Sequence, residues 1–205
     1  MADAQAHWEK VYKSRRPEQV SWYQPHLETS LELLRSAAPQ LEAHVIDVGA
    51  GGSTLVDDLV AFGYRNLCAM DISPAALSVT KARLGGRAER VQWLVGDVRT
   101  ISLDAHRFDV WHDRATFHFL TLSEDRAAYV RQVVRAIKPG GHLIVATFGP
   151  QGPSRCSGLD VIRYEPHALQ AELGAAFRLV EQRTELHRTP AGATQQFTYC
   201  MCRLG

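Results

Sequence analysis

An excess of charge of either sign is missing from this chain. It carries 23 Lys and Arg against 22 Asp and Glu, a formal net charge of +1 over 205 residues. No basic stripe stands out along it, so binding to nucleic acid or to an anionic membrane has no electrostatic basis. Long apolar runs are also missing. Nothing approaches the roughly 18 residues of a spanning helix, and "MADAQAHWEKVYKSRR" has no apolar centre of the secretory type; a cytoplasmic location is expected. Cysteine is sparse, with Cys68, Cys156, Cys200 and Cys202 only. None forms the C-x-x-C pair that structural zinc sites favour. Cys200 and Cys202 alternate along "FTYCMCRL", which places them on one face of a strand as reduced core residues. Histidines His26, His112 and His118 could be drawn together with Asp113, but no H-x-x-x-H spacing exists and no metal is expected. Repeats, low-complexity tracts and interdomain linkers are absent, and the length suits one domain over 1–205.

What the chain does have is alternation. Short β-rich runs, "HVIDV", "NLCAM", "VQWLV", "FDVWH" and "HLIVATF", are separated by helical patterns. "STLVDDLVAFG" opens on Ser and Thr and stops at Gly63. "SPAALSVTKARLGG" has Ser73 as an N-cap, Pro74 at the first helical position and a Gly-Gly end. "SEDRAAYVRQVVRAIKPGG" begins at a capping Ser123 and ends in Lys-Pro-Gly. Repeated strand–helix units predict a parallel sheet with helices on both faces. After residue 176, "FRLVEQRTEL" and "TQQFTYCMCRL" are joined by "HRTPAGA", too short for a crossover, so those two strands pair antiparallel. The fold class is α/β, a doubly wound, mostly parallel sheet closed by a C-terminal hairpin. Residues 1–40 form an N-terminal helical arm and 41–205 the core.

The densest cluster of small residues is "DVGAGGS". In an open parallel sheet, ligands bind beyond the carboxyl ends of the strands. Gly49, Ala50, Gly51 and Gly52 follow the first strand there, and glycine permits both close approach and positive φ. A dinucleotide site wants G-x-G-x-x-G, yet Thr54 occupies its last position. A carboxylate just before the glycines, Asp47, would repel a pyrophosphate but suits a sulfonium cofactor bearing an amino group. Asp71 ends the second strand and can accept both ribose hydroxyls. Asp97 follows the third strand and can accept from an adenine amine, with Val98 giving a backbone contact. "FDVWHDRATFHF" closes the fourth strand with His112, Asp113, Arg114 and His118.

With these residues in place, the chain resembles class I, Rossmann-like methyltransferases that use S-adenosyl-L-methionine, over about residues 40–205. The resemblance rests on acid-x-G-x-G with Ser53 at the third glycine, and on the acidic strand ends. It implies a seven-stranded sheet of order 3-2-1-4-5-7-6. It also implies cofactor contacts from Trp22, Tyr23, Asp47, Gly49, Ala50, Gly51, Asp71, Ile72, Asp97, Val98, His112 and Asp113. "HDRATFHFLTLSEDRAAYV" is similar to thiopurine methyltransferase-like enzymes, which carry Asp-Arg-Ala there and an Arg and a Tyr on the next helix, here Arg126 and Tyr129. The same place in a group of protein lysine methyltransferases reads Asp-Lys-Gly. The arm "HWEKVYKSRRPEQVSWYQPH" is similar to a lid segment of both groups.

For the acceptor, the stretch "RATFHFLTL" offers no carboxylate to deprotonate an amine near pKa 10.4. A thiol near 8.5 needs less help. The expected acceptor is therefore a small molecule, a thiol, sulfide or related chalcogenide, with a protein lysine as the alternative. Arg114 would favour the thiolate and His118 would take the proton. Trp8 and Tyr12, four apart, line one face of a short helix. Trp22 or Tyr23 would cover the sulfonium, since a cation over an aromatic face gains roughly 0.5–2 kcal/mol. The loop "FGPQGPSRCSGLDVIRY" would close the other side, with Cys156 exposed in it.

Overall fold

Each run that alternates in the sequence becomes an element of one twisted sheet in the computed structural model, which describes residues 2–205 and side chains from residue 4 onward. Met1, the first residue of the arm, lies outside the described residues. The main sheet holds β1 (His44–Val48), β2 (Asn66–Asp71), β3 (Val91–Val95), β4 (Phe108–Arg114), β5 (Ile137–Phe148), β8 (Phe177–Arg188) and β9 (Thr194–Leu204). Their order is β3-β2-β1-β4-β5-β9-β8, which is 3-2-1-4-5-7-6 when only these seven are counted. The first five run parallel, and β9 lies antiparallel between β5 and β8. The two other strands, β6 (Arg155–Cys156) and β7 (Leu159–Asp160), form a small separate hairpin.

Neighbouring residues on the inner strands face opposite layers, because side chains alternate along a strand. Val45, Val110, Ile144 and Met201 join one apolar cluster. Ile46, Trp111, Leu143, Val145, Cys200 and Cys202 join the other. Strands buried on both faces read as continuous apolar runs, which is why "HVIDV" shows no alternation. Helices α2 (Glu28–Ala37), α3 (Leu55–Phe62) and α4 (Pro74–Leu84) cover the first face with Leu33, Leu34, Leu55, Leu59, Leu77 and Leu84. Helices α5 (Ser123–Ala136) and α6 (Pro166–Leu173) cover the second with Tyr129, Val133, Leu169 and Leu173. Each such fully buried aliphatic or aromatic side chain contributes roughly 1.5–3 kcal/mol.

Helix ends follow their expected capping residues only in part: the Thr54 hydroxyl does not cap α3, and α5 ends at Ala136, ahead of the Lys-Pro-Gly stretch, which lies within β5. Gly63 closes α3 at φ 96°, the left-handed cap glycine favours. Ala76 N–H donates to Ser73 Oγ at 3.2 Å, capping α4. Ser123 does not cap α5; it is the first helical residue, behind Leu122, and its hydroxyl turns to Glu124. The four cysteines are free and buried. Cys156, expected exposed, sits in β6 at 5% relative exposure, packed into the first apolar cluster. Among the described residues no helix is long and apolar enough to cross a membrane.

The arm docks across the carboxyl ends of the strands. Helix α1 (Ala2–Ser14) lies against α4 and places Glu9 at the start of that helix. There Glu9 Oε2 accepts from Ser73 Oγ at 2.6 Å and from Ala75 N at 3.1 Å. A carboxylate at a helix N-terminus is favoured by the helix dipole. The Ser73 hydrogen bond first, then Lys13 and the Ala75 amide, hold the Glu9 carboxyl down to about 2.

Candidate active site

The glycine turn after β1 is crowded from both sides. Gly49 has φ 71°, and a Cβ there would stand 1.8 Å from Thr116 Oγ1. Gly51, at φ 26°, would bring a Cβ to 2.4 Å from the Tyr12 hydroxyl oxygen and 3.1 Å from Asp71 Oδ2. The side chains were removed to admit the loop after β4 on one side and the α1 tyrosine on the other. Gly51 N–H donates to Asp71 Oδ2 at 3.0 Å, and Ser73 N–H donates to Asp71 Oδ1 at 2.9 Å. Burial raises the Asp71 carboxyl to about 6 against the pull of these two amides. A carboxylate has about four lone-pair positions, so acceptor capacity remains on both oxygens.

Beyond this turn a cleft of about 430 Å³ opens at the strand ends, within the range of small-ligand sites. Of the residues named from sequence, Trp22, Gly49, Asp71, Ile72, Asp97, Val98 and Arg114 line it. Tyr23, Asp47 and His112 line an adjoining recess of about 30 Å³, which Trp22, Gly49 and Arg114 also border. Ala50, Gly51, Asp113 and His118 line neither.

Four aromatic rings make the outer wall. Trp8 packs on Trp22 with centroids 5.8 Å apart, on Phe119 at 5.1 Å and on Tyr12 at 6.4 Å, while Tyr12 and Trp22 lie 6.3 Å apart. All four face the cleft, as does His7, edge-on to Trp8 at 5.2 Å. Sequence reasoning placed Trp8 and Tyr12 on one helix face but missed His7 and Phe119, which come from different elements and share no spacing. It also missed Ala115, whose φ of 69° is a strained conformation for a side chain with a Cβ. Such strain, of order 1–3 kcal/mol, persists where surrounding structure enforces it.

The charged groups of the cleft are paired. Arg99 grips both oxygens of Asp97, at 2.9, 3.1 and 2.6 Å, and reaches Asp125 at 2.5 Å. This guanidinium holds the Asp97 carboxyl below its ordinary value. Arg114 donates to Tyr199 Oη at 2.9 Å, Glu185 Oε1 at 3.0 Å and Trp22 O at 3.3 Å, and its guanidinium lies 4.0 Å over the Phe197 ring. Its charge is balanced by Glu185, so it ties the arm to β8 and β9. Asp113 is fully buried, accepting from Tyr129 Oη at 2.7 Å and from the Thr116 and Phe117 amides at 2.9 and 3.2 Å. Burial nonetheless raises it to about 6. His118 is wholly buried beside Phe148, accepting from its amide at 3.3 Å, and burial holds it down to about 3, so the ring is neutral. Arg126 binds Glu172, and Tyr129 binds Asp113; neither lines the cleft. His112 Nδ1 lies 2.7 Å from Asp47 Oδ1, while His112 Nε2 and Asp47 Oδ2 have no partner among the described residues.

The sequence profile described as "Methyltransferase domain" matches residues 46–145, which hold the glycine turn, Asp71, Asp97 and the β4 end. The chain carries a class I, S-adenosylmethionine-dependent methyltransferase domain. It is similar to the eEF1A lysine and N-terminal methyltransferase of Mus musculus, 27% identical over 138 residues, which is 67% of this chain and 19% of that protein. It is also similar to EEF1A lysine methyltransferase 2 of Homo sapiens, 26% identical over 113 residues, 52% of this chain and 48% of that one. The chain thus spans a fifth to a half of the curated relatives it matches. In fold it is similar to the N-methyltransferase NodS of Bradyrhizobium japonicum WM9, solved with S-adenosyl-L-homocysteine. That likeness has a TM-score of 0.74 at 16% identity, over 98% of this chain and 97% of that one.

The eEF1A relatives are named for a protein acceptor, and this overturns the small-molecule partner expected from sequence. That expectation leaned on Arg114 as a free cation for a thiolate, and Glu185 neutralises it.

The methyltransferase cleft fits its cofactor on its own chemistry. Asp71 has acceptor capacity left, Ile72 and Val98 line the cleft with apolar side chains, and Asp47, in the adjoining recess, has an unpartnered Oδ2 that an ammonium would suit.

Proposed function

We propose that this domain methylates an amine nitrogen of a protein, a lysine side chain first. The observation that carries the reading is the aromatic wall of Trp8, Tyr12, Trp22 and Phe119 in a cleft whose cationic groups, Arg99 and Arg114, are already neutralised. A π face attracts an ammonium by roughly 0.5–2 kcal/mol, more as water is excluded; a thiolate gains nothing there. The names of the relatives point the same way, and an elongation factor of the eEF1A type is the first protein to try.

Asp71, Asp97, Ile72 and Val98 would hold the nucleoside end, and Asp47 with His112 the amino-acid end. Bound S-adenosylmethionine supplies a methyl carbon activated by its positive sulfur. The chain's task is alignment: the arm covers the cleft, the aromatic wall directs the amine, and the seal between α1 and α4 keeps water out. Alignment of two centres can supply roughly 7–11 kcal/mol.

The test compares acceptors directly. With saturating cofactor, a lysine-containing peptide should be methylated and 2-mercaptoethanol should not. Trp22→Ala and Phe119→Ala should raise KM for the peptide several-fold. Turnover of the thiol with no activity on any peptide amine would overturn the reading.

A further inference from the structure

An amine acceptor must lose a proton before it can attack, and none of the charged groups that hold the cleft together is free to take it. A lysine near pKa 10.4 is unprotonated in roughly one molecule in a thousand at pH 7.5. Burial against aromatic rings lowers that value, because desolvation disfavours the ammonium, but the proton still needs a destination.

The titratable groups facing the cleft can be taken element by element. Tyr12, on α1, is pushed above its ordinary range by burial. Asp71, at the end of β2, accepts the Gly51 and Ser73 amides, and its remaining lone pairs are the ones the proposed cofactor site gives to the ribose hydroxyls. Asp97, after β3, has both oxygens on Arg99, and Asp125 of α5 is paired with the same guanidinium. Arg114, from β4, is spent on Glu185, Tyr199 and the Trp22 carbonyl. Cys156, from β6, is raised to about 11 by burial. His7, on α1, remains. Its Nε2 is shielded from solvent and has no hydrogen-bond partner among the described residues. Its ring stands edge-on to Trp8, 5.2 Å between centroids, and Trp8 touches both Trp22 and Phe119. The imidazole therefore lines the cleft beside the wall that would hold the amine.

We propose that His7 is the catalytic base, its Nε2 taking the proton from the acceptor ammonium; the inference rests on the amine reading above. The nitrogen's freed lone pair forms the new C–N bond as the carbon–sulfur bond breaks, and the bond's electron pair stays on sulfur. The proton passes from His7 to water when the product leaves. Neutral imidazole is the ordinary side chain suited to this near pH 7.

The experiment uses the full chain, His7→Gln and His7→Ala, with two peptide acceptors, one offering a lysine and one an α-amine, whose ordinary pKa is about 8. Loss of a general base costs about 10²–10⁴ in rate. A kcat loss of that size is expected on lysine and a much smaller one on the α-amine, which needs less help. In His7→Gln, kcat should climb with pH as the acceptor ammonium itself ionises, so that the loss relative to wild type shrinks as pH rises, and added imidazole should partly restore His7→Ala. Calorimetric affinity for S-adenosylhomocysteine should stay within about twofold. Should either variant fail to fold, the wild-type His7 resonance should shift when lysine peptide joins the S-adenosylhomocysteine complex. Equal losses on both acceptors, a change in KM alone, unchanged kcat, or an unmoved resonance would overturn the role of His7. Wild-type enzyme inactive on both amines would overturn the amine reading itself, and His7 with it.

Discussion

Replacing Asp71 by Asn changes one atom and should separate cofactor binding from fold. Asp71 receives two backbone amides, from Gly51 at 3.0 Å and Ser73 at 2.9 Å. An asparagine keeps one acceptor and turns an NH2 toward the other amide. One buried N–H then loses its partner in free and bound protein alike, which lowers stability, while the charge-assisted bond to ribose is weakened by about 1–3 kcal/mol. Affinity for S-adenosylhomocysteine should fall by about 5- to 150-fold at pH 7.5. The wild type should also show a pH dependence that the variant lacks. Burial raises the Asp71 carboxyl from 3.8 to about 6, so the folded state holds this proton more tightly than the unfolded chain does. The group's contribution to stability is therefore fully present below about pH 4 and lost as pH rises through 6, about 3 kcal/mol in all. Ribose hydroxyls favour the charged form, so binding should tighten over the same interval. At pH 5 about one molecule in eleven is ionised, and Kd should be about tenfold weaker than its high-pH limit. Calorimetry from pH 5 to 8 reads both effects. A wild-type Kd flat across that range, with Asp71→Asn binding as tightly, would refute the assignment of Asp71 to the ribose.

Arg114→Ala should leave the partly buried Glu185 with no counter-charge, and breaking a buried pair costs about 3–5 kcal/mol. Scanning calorimetry should show Tm lowered by about 6–20 °C, with Arg114→Lys rescuing little because the planar fork is lost. Gly49→Ala places a Cβ 1.8 Å from Thr116 Oγ1 at φ +71°; thermal shift should show a lower Tm and no stabilisation by S-adenosylhomocysteine. Glu9→Gln weakens the seat of α1 on Ser73 and Ala75, so trypsin should cut at Lys10, Lys13 or Arg15 faster than in wild type. The Glu9 carboxyl is held at about 2, so its stabilising contact, present above its ordinary 4.5, should persist until pH falls toward 2.

The sheet was readable because its inner strands are buried on both faces. Such strands announce themselves as unbroken apolar runs between Gly and Ser punctuation, and β1, β3 and β9 start and end where those runs do. The glycine turn and the acids at successive strand ends were readable for a similar reason: each sits at a fixed place relative to a strand. The cleft's outer wall was not. Trp8 and Phe119 meet at 5.1 Å from positions 111 residues apart, and nothing local in the chain records that contact. The roles of Arg114 and His118 escaped in the opposite sense. Both are polar and near a strand end, but Glu185 on β8 and the burial of His118 decide what they can do. Glu185 reads as one more exposed charge on an edge strand, so the neutralisation of Arg114 is visible only in three dimensions. The β6–β7 hairpin carries two residues per strand, too few to impose a pattern, and the burial of Cys156 went with it.

The central claim is methyl transfer to a protein amine. It is tested most directly by incubating the chain with S-adenosylmethionine labelled at the methyl group and a cell lysate, then hydrolysing the labelled protein in acid and separating its amino acids. The account predicts label in Nε-methylated lysine, abolished by Gly49→Ala. Label confined to small thiols or to S-methylcysteine, with none in methylated lysine, would contradict it.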